Sequence, residues 1–190
     1  MPFGGLTPPA SGGSTSAIVL PGPQLRSGWY GSPLGEVDTV ALTPGAMFAV
    51  PFPVNRDVTV DRIGLEVTGT GASTAVRLGI YSNTADNPDA LLLDAGTIDG
   101  ATGSFQEITI SKALTTGRVW LVAVAQGSNT VTVRGVRYIA SAGLPSSGYA
   151  PYSSYALRQS GTSTNGALPA SAPTFDDVRA TAPRVLLRVA

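Results

Sequence analysis

Apolar and polar residues alternate along most of this chain, and the period of the alternation is two. The clearest stretch is 58–93. Val58 and Val60 alternate with polar neighbours, the phase breaks at Asp61 and Arg62, and Ile63, Leu65 and Val67 then resume it. A Gly69-Thr70-Gly71 run follows, then a second alternation at Val76, Leu78 and Ile80. Period-two patterning flanked by glycine-rich turns predicts half-buried antiparallel strands. The phase break predicts a β-bulge at Asp61 and Arg62. No segment sustains a 3.6-residue period with caps, so no helix of useful length is expected.

The remaining pattern fills in a sandwich. A short strand is expected near 39–42 and another over 46–52, where Pro51 and Pro53 mark an edge or a strand end because proline cannot donate to a ladder. Asn83, Asp86, Asn87, Pro88 and Asp89 give 83–89 the composition of a loop. Further strands are expected at 91–93, 103–110 and 130–136. The run RVWLVAVA at 118–125 is apolar on both faces, as a central strand should be. It places Trp120, Val122 and Val124 on one side and Val119, Leu121 and Ala123 on the other. Residues 183–190 read as a terminal strand closing a sheet. Eight or nine strands without crossover helices predict an all-β, antiparallel, jelly-roll-like sandwich with an extended N-terminal arm. Trp120, Val122, Leu78, Ile80, Ile63 and Leu65 are expected to be buried together.

Two stretches break the alternation. Residues 1–25 carry no charge, are dominated by Gly, Pro, Ser and Thr, and hold few large apolar residues, among them Phe3, Leu6, Ile18, Val19 and Leu20. Such a segment cannot build a core. It is expected to be an extended arm that docks against neighbouring subunits, with 17–20 adding a strand to an exposed sheet edge; the alternative is that it packs back on its own sandwich. The sandwich domain then runs over 26–190 and includes a long loop at 138–175, whose one charge is Arg158. Within that loop Tyr149, Tyr152 and Tyr155 recur every third residue. They fit a protein interface, a pin holding the loop to the sandwich, or a contact surface for glycans.

Composition removes several classes of function. The formal net charge is zero, and the twelve basic residues are eleven arginines and Lys112, scattered along the chain. Nucleic-acid binding wants a basic patch and is not expected. Without histidine or cysteine there are no disulfides, no Cys/His zinc sites and no histidine bases or triads. The first residues lack a basic stretch followed by an apolar one, so no signal peptide is expected. The apolar run 119–125 is too short to span a bilayer, so no membrane insertion is expected. Asn83, Asp86, Asn87, Asp89 and Asp94 supply oxygens that calcium would use. They lack the ordered spacing of a calcium loop, so no metal and no cofactor is expected. Asp61, Glu66 and Glu107 lie in or near strands and admit a carboxylate pair for glycoside hydrolysis. Charges on the solvent face of a strand are the plainer reading. The turn at 69–71 opens no helix, so it is not a phosphate loop.

Several segments together carry a resemblance. They are RSGWYG at 26–31, FAVPFP at 48–53 followed by VTVDRIGLEVT, VRLGIYSNTADNPDALLLDAG at 76–96, GRVWLVAV at 117–124, and the closing ALPASAP and APRVLLRVA. This set resembles small β-sandwich proteins encoded in the structural gene blocks of tailed bacteriophages and gene transfer agents, and it covers roughly 26–190. The resemblance implies a virion component of the fibre, spike, tail or head-decoration type, located in the virion after assembly in the host cytoplasm. It implies self-association, most often as a homotrimer, with other virion proteins as partners through the arm. It brings no catalytic residues. The alternatives are a carbohydrate-binding module that contacts host-surface glycans and a small polysaccharide hydrolase.

Overall fold

The computed structural model describes residues 25–31, 36–137, 156–159 and 164–190. It is an all-β, antiparallel, jelly-roll-like sandwich, and no helix occurs among the described residues. The first sheet contains β1 (Gly28–Gly31), β2 (Glu36–Leu42), β4 (Val58–Gly69), β7 (Phe105–Leu114), β9 (Val131–Arg137), β12 (Thr181–Pro183) and β13 (Leu186–Val189). Its order is β1-β13-β4-β9-β12, with β2 also on β9 and β7 also on β4. The second sheet holds β3 (Phe48–Val54), β5 (Thr74–Thr84), β6 (Asn87–Asp99), β8 (Gly117–Gly127), β10 (Ala156–Gln159) and β11 (Phe175–Arg179). Its order is β11-β10-β3-β8-β5-β6. Among the described residues there are thirteen strands, against the eight or nine expected. The surplus is mostly strands of three to five residues, too short to show a period. The terminal strand β13 lies between β1 and β4 rather than at an edge.

The inner faces of the two sheets build the main core. Val58, Val60, Ile63, Leu65 and Val67 of β4 meet Val76, Leu78 and Ile80 of β5 and Val119, Leu121 and Ala123 of β8. The expected bulge is present: the register of β4 shifts between Val60 and Arg62 against both β13 and β7. It turns Asp61 and Arg62 both to the outer face while Val60 and Ile63 stay inside. β8 is central, between β3 and β5. Among the described residues β10 covers β3 only at Phe48 and Ala49, so Pro51 and Pro53 occupy the part of β3 past that cover.

One core expectation needs correcting. Trp120 and Val122 are fully buried, but not with Leu78, Ile80, Ile63 and Leu65. They belong to a second cluster with Met47, Tyr81, Val124, Leu157 and Leu168 on the outer face of the second sheet. That face is covered because 164–175 is no open loop: Leu168 is buried, and the segment lies over β5, β6 and β8. The expected loop at 138–175 therefore contains β10 and a packed strap.

The 83–89 loop is corrected too. β5 and β6 form a tight hairpin in which Thr84 pairs with Asn87 and Asn83 with Pro88. The two residues between, Ala85 and Asp86, have φ of 48° and 61°. Two positive φ values are what a two-residue hairpin turn needs. Ala-Asp is an uncharacteristic pair for it, so composition spread the turn over seven residues. β6 in turn extends well past 91–93.

Candidate functional site

Four adjacent strands of the first sheet present a continuous outer face, and side chains from all four meet on it. Trp29 of β1 points out while Tyr30 packs against the core. Phe105, at the start of β7, lies across β4 at Gly64. A Cβ at Gly64 would fall 2.7 Å from Phe105 Cζ, so only glycine leaves room for the ring there. Trp29 meets Phe105 edge-on, with centroids 5.2 Å apart and planes at 87°. Both rings remain in water, at 36% and 43% exposure. Exposed large aromatics in contact are unusual on a solvated surface and are typical of interaction sites.

Ion pairs frame the rings. Arg188 Nε and Nη2 each donate to one oxygen of Asp61, both at 2.8 Å. The same guanidinium sits 6.0 Å over the Trp29 ring. Arg62 Nε donates to Glu107 Oε1 at 3.2 Å. Along the sheet, Arg134 holds Glu66 through two bonds of 3.1 and 2.8 Å. The bulge makes this possible, because consecutive outward residues let Asp61 reach toward β13 and Arg62 toward β7.

These contacts decide what the carboxylates can do. The bonds from Arg188 hold Asp61 below the usual carboxylate range, against a smaller opposing effect of burial. Arg134 does the same to Glu66. A general acid for glycoside hydrolysis needs the opposite shift. The rings are equally informative. A sugar platform offers a free aromatic face. Here Arg188 occupies one face of Trp29, and the perpendicular Phe105 shares no plane with it. Paired arginines with tryptophan and phenylalanine are the composition of a protein interface.

The oxygen-rich residues of 83–94 are dispersed to separate structural tasks. Asn83 Oδ1 accepts from Trp120 Nε1 at 2.9 Å. Asp86 pairs with Arg118. Asn87 Nδ2 donates to the Ala85 carbonyl, and Asp89 accepts from Thr84 Oγ1. Asp94 accepts from Arg77 Nη1 and from the backbone N–H groups of Leu168 and Gly96. No three acidic residues converge among the described residues.

Asp94 belongs to the clasp that holds the strap. Tyr81 Oη donates to the Pro169 carbonyl at 2.7 Å, Leu91 N donates to Ala170 O, and Ala172 N donates to Asp89 O. Leu168 drops onto Gly79, where a Cβ would lie 2.2 Å from Leu168 Cδ1. Desolvation, with Asp94 nearby, pushes the Tyr81 phenol up to about 12. Elsewhere a cleft of about 480 Å³ opens beside β2 and β3, lined by Phe48, Thr43, Arg158 and Arg179 among others. Both arginines are bonded to Asp177 there, and Arg158 lies over Phe48.

Tyr149, Tyr152 and Tyr155, and the arm residues Phe3, Leu6, Ile18, Val19 and Leu20, lie outside the described residues. Leu25 is described: it is buried, its N–H donates to Asn55 Oδ1, and its carbonyl accepts from Arg56 Nε. Sequence reasoning missed the ring pair and the strap. Gly64 and Gly79, glycines inside strand patterns, were the available signals for both, since such glycines mark close approach.

No protein-family model matches the chain, and no curated protein sequence matches it.

Proposed function

We propose that the protein is a non-enzymatic structural component of a bacteriophage or gene-transfer-agent virion, a fibre, spike, tail or capsid-decoration protein that self-associates and docks onto the particle. The observation that carries self-association is the outer face of the first sheet, where Trp29 and Phe105 stay half in water inside a frame of arginine–carboxylate pairs. Rigid aromatics ringed by paired charges are what a protein interface is built from. The resemblance of 26–190 to particle-borne sandwiches supports the location, the virion, and the expected stoichiometry, a homotrimer. Docking to other virion proteins is assigned to the 1–25 arm. The paired states of Asp61 and Glu66 support a non-catalytic role.

Two experiments test this. Sedimentation of the isolated protein at micromolar concentration should show a species larger than the monomer, and Trp29→Ala should shift it toward monomer. Immunogold labelling of intact particles should decorate them. Monomer at every concentration together with unlabelled particles would overturn the proposal, and selective signals on a glycan array would move the function to carbohydrate binding.

A further inference from the structure

An antiparallel sandwich must deal with its sheet edges, because an open edge is a template for another strand. Here most edges are blunted. In the second sheet the outer edge of β6 is taken by the strap, through Leu91 N to Ala170 O, Ala172 N to Asp89 O and a bridge between Ala90 and Ser171. The part of β3 past β10 carries Pro51 and Pro53. β11 has five residues and β1 four. β2 carries Glu36 and Asp38 within its first three residues.

β7 is different. It runs for ten residues, FQEITISKAL, without proline; of its two charges Glu107 is paired with Arg62 and Lys112 is partly buried. Among the described residues its backbone pairs with β4 alone. Ile108 and Ile110 face inward and are only partly buried against the core, as are Leu92 and Ala95 of β6 across the open side of the sandwich. A strand laid beside β7 would satisfy its free backbone edge and cover these four side chains.

We infer that the outer edge of β7 accepts residues 17–20 of a second copy of this chain as an added strand. This rests on the self-association proposed above and names its site. The segment Ala17-Ile18-Val19-Leu20 is an uncharged apolar run with β-branched residues, stopped by Pro21. A charge-free apolar strand suits the half-covered Ile108 and Ile110 beside it.

Chain direction favours a second copy over the same one. β1 is antiparallel to β13, and β13 to β4, so β1 runs parallel to β4. Leu25 is fastened to Asn55 and Arg56 just before β4 starts, and Leu114 at the end of β7 pairs with Val58 at that same end. The chain before Leu25 therefore arrives at the end toward which β7 runs. Without a reversal in residues 21–24, residues 17–20 laid on their own β7 would pair parallel, in a sandwich whose described pairings are all antiparallel. A neighbour's segment is free to pair antiparallel, the slightly stronger arrangement. Passed head-to-tail, such exchange makes a ring where the rotation between copies closes.

The absence of cysteine gives a clean test. Full-length Val19→Cys and Thr109→Cys proteins, differently tagged, are mixed and treated with a short bis-maleimide; Thr109 is exposed on β7, and melting confirms that each variant folds. The expected result is a heterodimer carrying both tags. Val37→Cys on β2 in place of Thr109→Cys should give none. If the proteins sediment as oligomers but the mixture gives no heterodimer, the β7 assignment is overturned while self-association stands. If they sediment only as monomers, both fall. A crosslink formed only within the Val19→Cys, Thr109→Cys double variant would show the segment on its own sandwich and overturn the exchange.

Discussion

Leu168→Ala asks whether the 164–175 strap is part of the fold or an ornament on it. Leu168 is 5% exposed and caps the cluster of Trp120, Tyr81 and Val122. Truncation removes three buried carbons, about 2.4 kcal/mol at roughly 0.8 kcal/mol each. A residual cavity adds to the cost, but a strap at the surface relaxes better than a strand between sheets, so the expected loss is about 2–3 kcal/mol. At this chain length that lowers Tm by about 5–10 °C. The assay is chemical and thermal unfolding followed by tryptophan fluorescence and circular dichroism. Gly79→Ala attacks the same contact from below, because its methyl would meet Leu168 Cδ1 at 2.2 Å and the Leu93 carbonyl at 2.7 Å. It should cost about 1–3 kcal/mol as overpacking. With both changes present the new methyl enters space that the leucine has left, so the double variant should lose less than the sum. A loss below about 0.5 kcal/mol for Leu168→Ala, or strict additivity in the cycle, would refute the claim that Leu168 plugs the sheet at Gly79.

Three further outcomes follow from the same structure. The Tyr81 phenol is raised to about 12 by burial first and Asp94 second, so its contribution is fully present below pH 10 and lost as pH rises toward 12. Over that window stability should fall by about 2–3 kcal/mol, at roughly 1.4 kcal/mol per unit, and Tyr81→Phe should lack this fall in alkaline unfolding curves. At Asp94 burial raises the pKa, and the bonds from Leu168 N–H, Arg77 and Gly96 N–H outweigh it, so the carboxyl is depressed. Its stabilisation is present above the ordinary carboxylate value and disappears as pH falls through the depressed one, so Asp94→Asn should be destabilised at pH 7 and converge on the parent in acid. Phe105→Ala should change folding stability by under about 1 kcal/mol, since the ring is half in water. It should nonetheless weaken self-association in sedimentation, and an unchanged oligomer would remove Phe105 from the interface.

What the sequence displayed was whatever its period carries. The phase break at Asp61 and Arg62 located the bulge to the residue, and the doubly apolar 118–125 run identified the central strand with both faces correctly divided. Period two says that alternate residues face opposite sides; it does not say what covers each side. That is why Trp120 was assigned to the same core as Leu78, when it sits across the sheet from it. The strap was illegible for a related reason. Its hold on the sheet comes from single backbone bonds and one leucine in ALPASAP, a segment too short and too proline-rich to show a period. The turn at Ala85 and Asp86 hid because its residues do not advertise positive φ. The ring pair was not legible, because the meeting of Trp29 with Phe105 depends on β13 inserting between β1 and β4, which no local pattern encodes.

The two outer faces of the sandwich were treated differently, and the difference bears on function. The second sheet carries Trp120, Tyr81 and Met47 outward, and the chain spends its own 164–175 segment to cover them. The first sheet carries Trp29 and Phe105 outward, against each other, Arg188 and the β4 backbone at Gly64, and both stay partly in water. Aromatic surface left in water costs free energy in the isolated chain. The glycine at position 64 fixes where Phe105 sits, because it leaves room for the ring across β4 where a Cβ would meet it at 2.7 Å. One apolar face is roofed by the chain itself, and the other carries paired arginines and open rings, which supports the proposed partner on the second. That face begins at β7, the same strand whose outer edge carries no strand among the described residues. On the proposed assembly, one neighbour seated against β7 would reach both the edge and the rings, so the edge and the face would be two parts of a single contact.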